Sequence, residues 1–529
     1  MIQQCFRKRI CLQSLQYFLA IFFLAGCSAE KLPEQDEPVL VSVGRDKITV
    51  QDFRYSYETA LGILKQGKDT QERKQNFLDF MIKEKLLAQE GYRLGFDQNA
   101  RVKKAEEKLL NELLISELLK KEVMSKIHVS DEEIREAINK SKVTFKFRYW
   151  VENEHSRAEL VAGEMKKRGY ADVTDEIIRK NPERRINPKQ LETDYLNYQQ
   201  ISPEVLNAIK DLPYGDISNP VRMHGKYFIF QVLDIRRGAV TENEYKSKAS
   251  HFEQIVFYEK LQKAMQVFVS GLLTPKNIVT KKEAFNLLGK ALSEWQKLPA
   301  SDRPGFFDAL KQATAAQPNL HRLKMNLDKP FLTSSDGVIS IETFLKYFAV
   351  NRINPKFSGT TNFRDTFLQA VQTSVRDYFM VQTAKQKQLQ TSQAVQAELK
   401  RWRDKWVYSE TKRHFTEKLA VTDEEVQDYF DEFQQQYVID KNSDAVVKKN
   451  DPLVKRNAQM RKSLNELNNI TNELAQHYPV TIYKQRLDTV SVNDSEKSRW
   501  MSLQVYRGGT NHPAYPSVDA IWGVKRNIH

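Results

Sequence analysis

Apolar positions change rhythm several times along this chain of 529 residues, and each change predicts a different kind of segment. An unbroken apolar run from Tyr17 to Ala25 comes after Arg7, Lys8 and Arg9 and ends in Leu24-Ala25-Gly26-Cys27. It is too short to span a bilayer comfortably and carries the flanks of a secretion signal. Residues 28–38 are polar and Pro-bounded, which predicts a flexible tether. Alternation then predicts a strand at Val39-Leu40-Val41-Ser42-Val43, a turn at Gly44-Arg45-Asp46 and a returning strand at Lys47-Ile48-Thr49-Val50. Helical spacing comes next. Phe77, Phe80, Met81, Leu87 and Ala88 make one stripe, interrupted by Glu84, and Val102, Leu109, Leu113, Leu119 and Val123 make another. Val129-Ser130-Asp131-Glu132-Glu133 predicts a helix start, with Ser130 as N-cap and Glu133 as its capping-box partner.

The same plan returns about 291–293 residues later. Lys47-Ile48-Thr49-Val50-Gln51-Asp52-Phe53 is answered by Val338-Ile339-Ser340-Ile341-Glu342-Thr343-Phe344. Val102, Leu109 and Leu113 are answered by Val395, Trp402 and Trp406, and Val129 to Ile134 by Val421 to Val426. Two units at so long a period indicate a duplication and not a solenoid. Beyond this shared plan the copies diverge. The first continues through 143–237, which reads as strand (Thr144–Val151), helix (Ala158–Arg168), irregular middle, helix (Pro203–Leu212) and strand (Tyr227–Leu233), before a helix at 244–272. The second passes through a polar loop at 434–452 into a helix at 453–477. Each late helix leads into a strand-like piece, Asn277-Ile278-Val279 or Val480-Thr481-Ile482-Tyr483.

The expected organisation is therefore a signal (1–26), a tether (27–38), a helical module (39–142), an inserted α+β domain (143–237) and a helical connector (238–330). A second helical module (331–433), a helix and strand (434–487) and a tail (488–529) complete it. The fold class is mainly α with one inserted α+β domain and duplicated helical modules.

Composition narrows the chemistry. The cysteines are Cys5, Cys11 and Cys27, so a chain cut before Cys27 keeps one, which suits an oxidising compartment. Thiol redox chemistry, zinc-thiolate sites and cysteine nucleophiles drop out. Losing three leader cations takes the net charge from +14 to +11, spread along the chain. That balance suits acidic lipid or polymer surfaces, or a solvated basic surface, and the address argues against nucleic acid. The chain has no GxxxxGK[ST] loop, no HExxH and no histidine cluster, so neither cofactor nor metal is expected.

Three resemblances add to this reading. Leu24-Ala25-Gly26-Cys27 resembles the lipobox of bacterial lipoproteins, which implies acylation of Cys27 and a lipid-anchored, periplasm-facing protein. Ser28 fits outer-membrane retention under the proteobacterial rule. Leu212-Pro213-Tyr214-Gly215-Asp216-Ile217-Ser218-Asn219-Pro220-Val221, followed by Gly225, resembles the end of parvulin-type (PpiC) peptidyl-prolyl isomerases. The helical unit that starts Val43-Gly44-Arg45-Asp46-Lys47-Ile48-Thr49 resembles the chaperone module of the SurA and PrsA foldases.

Parvulins use two histidines on central strands, an Asp or Cys between them and a Met/Phe floor. In this chain those positions fall on Tyr149, Phe228, Glu192, Ile201 and Val205, which implies a weak or inactive isomerase. His155 and His224 lie nearby, in a helix-start loop and a turn, and are expected to be solvated. Tyr149, Trp150, Ile201, Val205 and Phe228 are the expected peptide-binding residues, with ordinary core packing as the competing explanation. Tyr347, Phe348, Tyr378, Phe379, Trp402 and Trp406 are expected mostly to fill helical core.

The leading function is a lipid-anchored holdase or foldase for unfolded or extended polypeptides, outer-membrane proteins among them. Two alternatives stand beside it: an active prolyl isomerase, or a dedicated assembly subunit of one envelope complex docking through its tail.

Overall fold

A computed structural model describes residues 38–184, 186–299, 303–348, 363–433, 452–493, 504–507, 510–513 and 515–524. The expected secretion signal, Cys27, most of the expected tether and nearly all of the expected polar loop at 434–452 lie outside the described residues. Along the chain come β1 (Val39–Val43), β2 (Asp46–Thr49), α1 (Val50–Thr59), α2 (Thr70–Arg93), α3 (Ala100–Glu122) and α4 (Asp131–Ser141). Next are β3 (Val143–Glu152), α5 (His155–Arg168), α6 (Tyr170–Lys180), β4 (Leu196–Asn197), α7 (Pro203–Ile209), β5 (Val221–Met223) and β6 (Lys226–Arg237). Then come α8 (Glu242–Leu273), β7 (Val279–Thr280), α9 (Lys282–Gln296), β8 (Pro330–Ser334), β9 (Gly337–Ser340) and α10 (Ile341–Leu345). The last described elements are α11 (Phe363–Gln386), α12 (Gln393–Thr416), α13 (Asp423–Phe433), α14 (Pro452–His477), β10 (Val480–Ile482), β11 (Gln504–Arg507) and β12 (Thr510–Pro513).

The chain divides into two compact units. One holds residues 119–275 and the other the described residues up to 118 and from 276 onward.

In the 119–275 unit, β4-β3-β6-β5 form a four-stranded sheet in that order. The central pair is antiparallel from Val143↔Arg237 to Glu152↔Tyr227, with a bulge after Lys146. Helix α4 starts as expected: Ser130 Oγ accepts from Glu133 N, and Glu133 accepts from Ser130 N at 2.9 Å. Its apolar face, Ile134, Ala137 and Ile138, packs on Phe252 and Val256 of α8. Helix α6 replaces part of the expected irregular middle. Tyr170, Val173 and Ile177 recur there at helical spacing and are all buried.

In the other unit the two similar segments build similar parts. The β1–β2 hairpin and the β8–β9 hairpin each carry a bulge at the same place, between Val39 and Val41 in one and between Pro330 and Leu332 in the other. Each leads into a helix capped by a hydroxyl, Thr49 for α1 and Ser340 for α10. The α4 capping box recurs before α13, where Thr422 N donates to Glu425 at 2.8 Å and Glu425 N donates to Thr422 Oγ1 at 3.1 Å. Each hairpin gains a third strand from a segment distant in sequence. β10 pairs with β1, Val41 opposite Ile482, and β7 pairs with β8, Val279 opposite Thr333. The late strand of each segment thus joins the other segment's hairpin.

Helices α2, α12 and α14 pack together beneath the β10-β1-β2 sheet. Gly91 permits the close approach of α2 to α12, because a Cβ there would overlap Thr411 Oγ1 and Val407 Cγ1. The matching stripes meet one another: Leu109 and Leu113 of α3 pack on Val395 and Leu399 of α12, with Trp402 and Trp406 alongside. Phe348 and Phe379 are core residues, as expected. The acid that breaks the α2 stripe is compensated, since Glu84 pairs with Lys405 of α12 at 2.7 Å. Asp404 is buried between Lys85 at 2.6 Å and Lys400 at 3.0 Å, and Tyr92 OH donates to it at 2.8 Å.

Part of the expected tail is described and carries structure of its own. Gln504–Arg507 and Thr510–Pro513 pair as an antiparallel hairpin, and residues 515–524 pack into the unit because Val518 and Trp522 bury apolar side chains in its core. Among the described residues, no helix is long and apolar enough to cross a membrane.

Candidate peptide-binding site

The central sheet of the 119–275 unit has two faces, and strand alternation assigns every candidate to one of them. Phe145, Phe147 and Tyr149 of β3 and Phe228, Phe230 and Val232 of β6 point to one face. There they meet Ile201, Met223 and the inner side of α7, Val205 and Ile209. Tyr149 is 3% exposed, Ile201 4% and Val205 1%. The Phe228 ring lies 6.1 Å from Tyr149 and stacks on Phe230 at 6.2 Å, and it keeps a partly exposed surface. Burial pushes the Tyr149 phenol above its ordinary range, so it stays a neutral hydroxyl, and it donates to Gln190 O at 3.4 Å.

Two expected members do not belong to this wall. Trp150 is 1% exposed but lies on the opposite face, packed on α5 and α6 with Ile217 and Ile229. A strand residue adjacent to Tyr149 must point the other way, so the two cannot line one pocket. Glu192 pairs with Lys146 at 2.6 Å, and Lys146 alternates with Phe145 and Phe147, which directs that carboxylate away from the aromatic wall. Tyr149, Ile201, Val205 and Phe228 do come together. Phe147, Phe230 and Met223 were missed, although the Phe145-x-Phe147-x-Tyr149 alternation was available to place two of the wall's rings.

The opposite face supports the wall through polar contacts. Arg148 Nε donates to Gln231 Oε1 at 2.7 Å, and Gln231 Nε2 donates to Gly215 O at 2.5 Å. Tyr170 OH donates to Tyr149 O at 2.7 Å, and Arg148 lies 4.1 Å over the Tyr170 ring. Ser218 Oγ accepts from Phe230 N at 2.8 Å. Trp150 Nε1 donates to the buried Glu152 carboxylate at 2.8 Å. Each of these polar groups has a partner inside the fold, which locks the register of β3 and β6 and hence the aromatic wall.

Chemically the wall offers apolar and aromatic surface with one phenol. β3 and β6 contain no histidine, and His155 and His224 are both exposed, the first at the start of α5 and the second in the β5–β6 turn at φ +50°. No cluster of His, Cys, Asp and Glu suited to a metal occurs among the described residues.

Comparison with known proteins gives one family match. Residues 129–245 match the model of the PPIC-type PPIASE domain, a segment that includes α4 and the start of α8 as well as the sheet. No curated protein matches the chain. Among solved structures, PrsA from Bacillus cereus is similar over 47% of this chain and 96% of its own, at 13% identity and a TM-score of 0.21. PrsA from Lactococcus lactis is similar over 47% and 97%, at 16% identity and a TM-score of 0.19. A structure from work on PEB4 and Cj1289, two SurA-like chaperones of Campylobacter jejuni, is similar over 40% and 86%, at 13% identity and a TM-score of 0.18. The aromatic wall, its supporting network and the surrounding helices thus belong to a peptidyl-prolyl isomerase domain of the PPIC (parvulin) type, spanning residues 129–245 of this chain.

Proposed function

We propose that this protein is a lipid-anchored extracytoplasmic chaperone of the SurA/PrsA type, in which the parvulin domain binds polypeptide and turns over X–Pro bonds weakly or not at all. One observation carries the second half: a neutral tyrosine and a phenylalanine, Tyr149 and Phe228, stand where the family resemblance calls for imidazoles. Rotation about an X–Pro bond faces a barrier near 20 kcal/mol, and lowering it takes a pocket that desolvates the amide or donates to it as resonance is lost. Tyr149 donates its hydrogen bond inward, to Gln190 O, and Phe228 has none to give. The partly exposed edge of Phe228 still suits an apolar or proline-bearing segment.

The holding function rests on the other unit. Matching bulges, matching hairpin-to-helix caps and exchanged third strands support a duplicated pair of helical cradles, the module whose sequence resembles SurA and PrsA. Anchoring through Cys27 follows from the lipobox resemblance, and a place at the outer membrane from Ser28 under the proteobacterial rule. Unfolded envelope proteins, outer-membrane barrels included, are the proposed clients.

The test compares suppression of aggregation of a denatured outer-membrane β-barrel by the intact chain and by a chain lacking 143–237. Gly238 N donates to Lys142 O at 3.1 Å, so the two ends of that segment are neighbours and its removal leaves a short joint. Most of the protection is expected to survive the deletion. Tetrapeptide isomerisation is expected to run near the uncatalysed rate and to be unchanged by Tyr149→Ala or Phe228→Ala. Catalysis abolished by either substitution would refute the altered-pocket reading, and an intact chain that leaves aggregation unaffected would refute the chaperone.

A further inference from the structure

The larger unit contains a groove between α2 and α12 that is filled by the chain itself. Residues 515–518 lie across it without regular structure, and Ala520–Gly523 close it with a single 3-10 turn capped by Asp519, whose Oδ1 accepts from Ile521 N at 3.0 Å. Each anchor is gripped separately. The Tyr515 ring stacks on Tyr55 at 4.7 Å and lies under the Arg401 guanidinium at 4.7 Å. Asp519 pairs with Lys412 at 2.5 Å, and its backbone N–H donates to Glu84 Oε1 at 2.7 Å. Trp522 is 4% exposed with Lys83 Nζ 5.6 Å from its ring, and Gln66 Nε2 donates to Gly523 O at 2.6 Å.

The occupant does not fill the groove. A cavity of about 90 Å³ remains beside Tyr515, Pro516 and Val518, and Met81, Ala88, Lys85 and Asp404 are among the other residues that line it. An aromatic clamp, a carboxylate-binding lysine, a main-chain acceptor and an indole slot, with room to spare, are the parts of a polypeptide-recognition site. Close-packed interiors fill such space and rarely line it with ion pairs.

We infer that this groove binds extended polypeptide and that residues 515–524 are its resident, displaceable occupant. The partner it fits is an extended segment with an aromatic-proline start, an acid four residues after the aromatic and a tryptophan or similar ring three beyond the acid, as in Tyr515, Asp519 and Trp522. The identification of that partner as an unfolded client rests on the chaperone reading above. A tethered occupant competes at high effective concentration. If it holds the groove nine-tenths of the time, it weakens a partner's apparent affinity about tenfold.

The experiment uses a fluorescent synthetic peptide with the sequence of residues 515–524, titrated into the intact chain and into a chain ending at Pro513. Saturable binding to the shortened chain about tenfold tighter than to the intact one is expected, with an unfolded outer-membrane barrel competing for it. A folded shortened chain that ignores the peptide would overturn the inference, whereas a barrel that fails to compete would remove only the identification of the partner as an unfolded client. Should the shortened chain not fold, Asp519→Ala in the full chain decides. It removes the Lys412 pair and the cap on Ile521 N and leaves the apolar anchors, so barrel capture is expected to rise about two- to threefold while the melting temperature falls slightly. Unchanged or reduced capture overturns the inference. Peptide binding to the shortened chain with no protection of barrels by any form would sink the chaperone reading and leave the groove standing.

Discussion

The aromatic wall of the parvulin domain and the α2–α12 groove are both occupied from within, by different means. The wall is closed by side chains of its own strands and of α7, each fixed by the backbone that carries it. The groove is closed by a segment from the far end of the sequence, held by one stacked ring, one ion pair, one indole and two backbone hydrogen bonds. Opening the wall means pulling apart the strands that carry it, whereas opening the groove means releasing one terminal segment and withdrawing Val518 and Trp522 from the core.

The contrast is broken most severely by truncating the wall. Phe230 is fully buried, stacks on Phe228 and meets Phe147 edge-on at 5.9 Å. Phe230→Ala is expected to destabilise the domain by about 3–5 kcal/mol, read as a fall in the midpoint of urea unfolding. Next comes Asp404→Ala, which strips Lys85, Lys400 and Tyr92 of their shared carboxylate. A loss of about 2–3 kcal/mol is expected, below the full value for a buried pair because Lys400 stays half exposed. A smaller loss, about 1–3 kcal/mol, is expected from Gly91→Ala, where the added methyl pushes α12 away from α2 despite better helix propensity. The smallest effects compare the repeated caps. Ser130→Ala and Thr422→Ala should each cost about 1 kcal/mol, and near-equal shifts in thermal unfolding would sharpen the likeness of the two segments.

Acid sharpens the comparison further. Burial acts to raise the Asp404 carboxyl, but Lys85 and Lys400, with hydrogen bonds from Lys85 and Tyr92, outweigh it and hold it below its ordinary value. A carboxyl depressed in the fold stabilises above its unfolded pKa, so this contribution is complete above about pH 5 and disappears as pH falls through the lower folded value. Glu84 behaves oppositely. Burial raises it against the pull of Lys405 and the Asp519 N–H, so it takes up its proton in the fold first and favours the fold on mild acidification. Urea unfolding from pH 7 down to pH 2 should show the acid-side loss, and Asp404→Asn should reduce it, with Glu176, Glu244 and Asp519, also depressed by their cationic partners, supplying part of the remainder.

Some features are legible in the amino-acid order alone. The Ser130–Glu133 cap, the β1–β2 hairpin and the limits of β3 depend on residues within a few positions of one another, whereas β6 runs four residues beyond the expected Leu233, to Arg237. Helix α6 is hidden because its buried stripe is short and flanked by Gly169 and the Asn181-Pro182 break. The misassignment of Trp150 comes from adjacency in sequence, which in a strand means opposite faces. Glu192 goes astray because its direction depends on which strand residue its loop meets, Lys146 in the event.

Local order in this chain is written in the succession of residues: capping hydroxyls, alternation, helical stripes and the spacing that returns in the second half. Partnership is not. A strand edge offers the same amide and carbonyl groups to any neighbour, so nothing in Val279-Thr280 or Val480-Thr481-Ile482 names its mate, and only the packed fold gives β7 to β8 and β10 to β1. The same holds for charge and cover. Glu84 reads as a flaw in an apolar stripe until α12 brings Lys405 to it, and residues 515–524 read as a loose end until α2 and α12 form the surface they occupy. Contacts between distant parts of a chain are selected by the burial and pairing of all their neighbours at once, and that information exists only when the chain is folded.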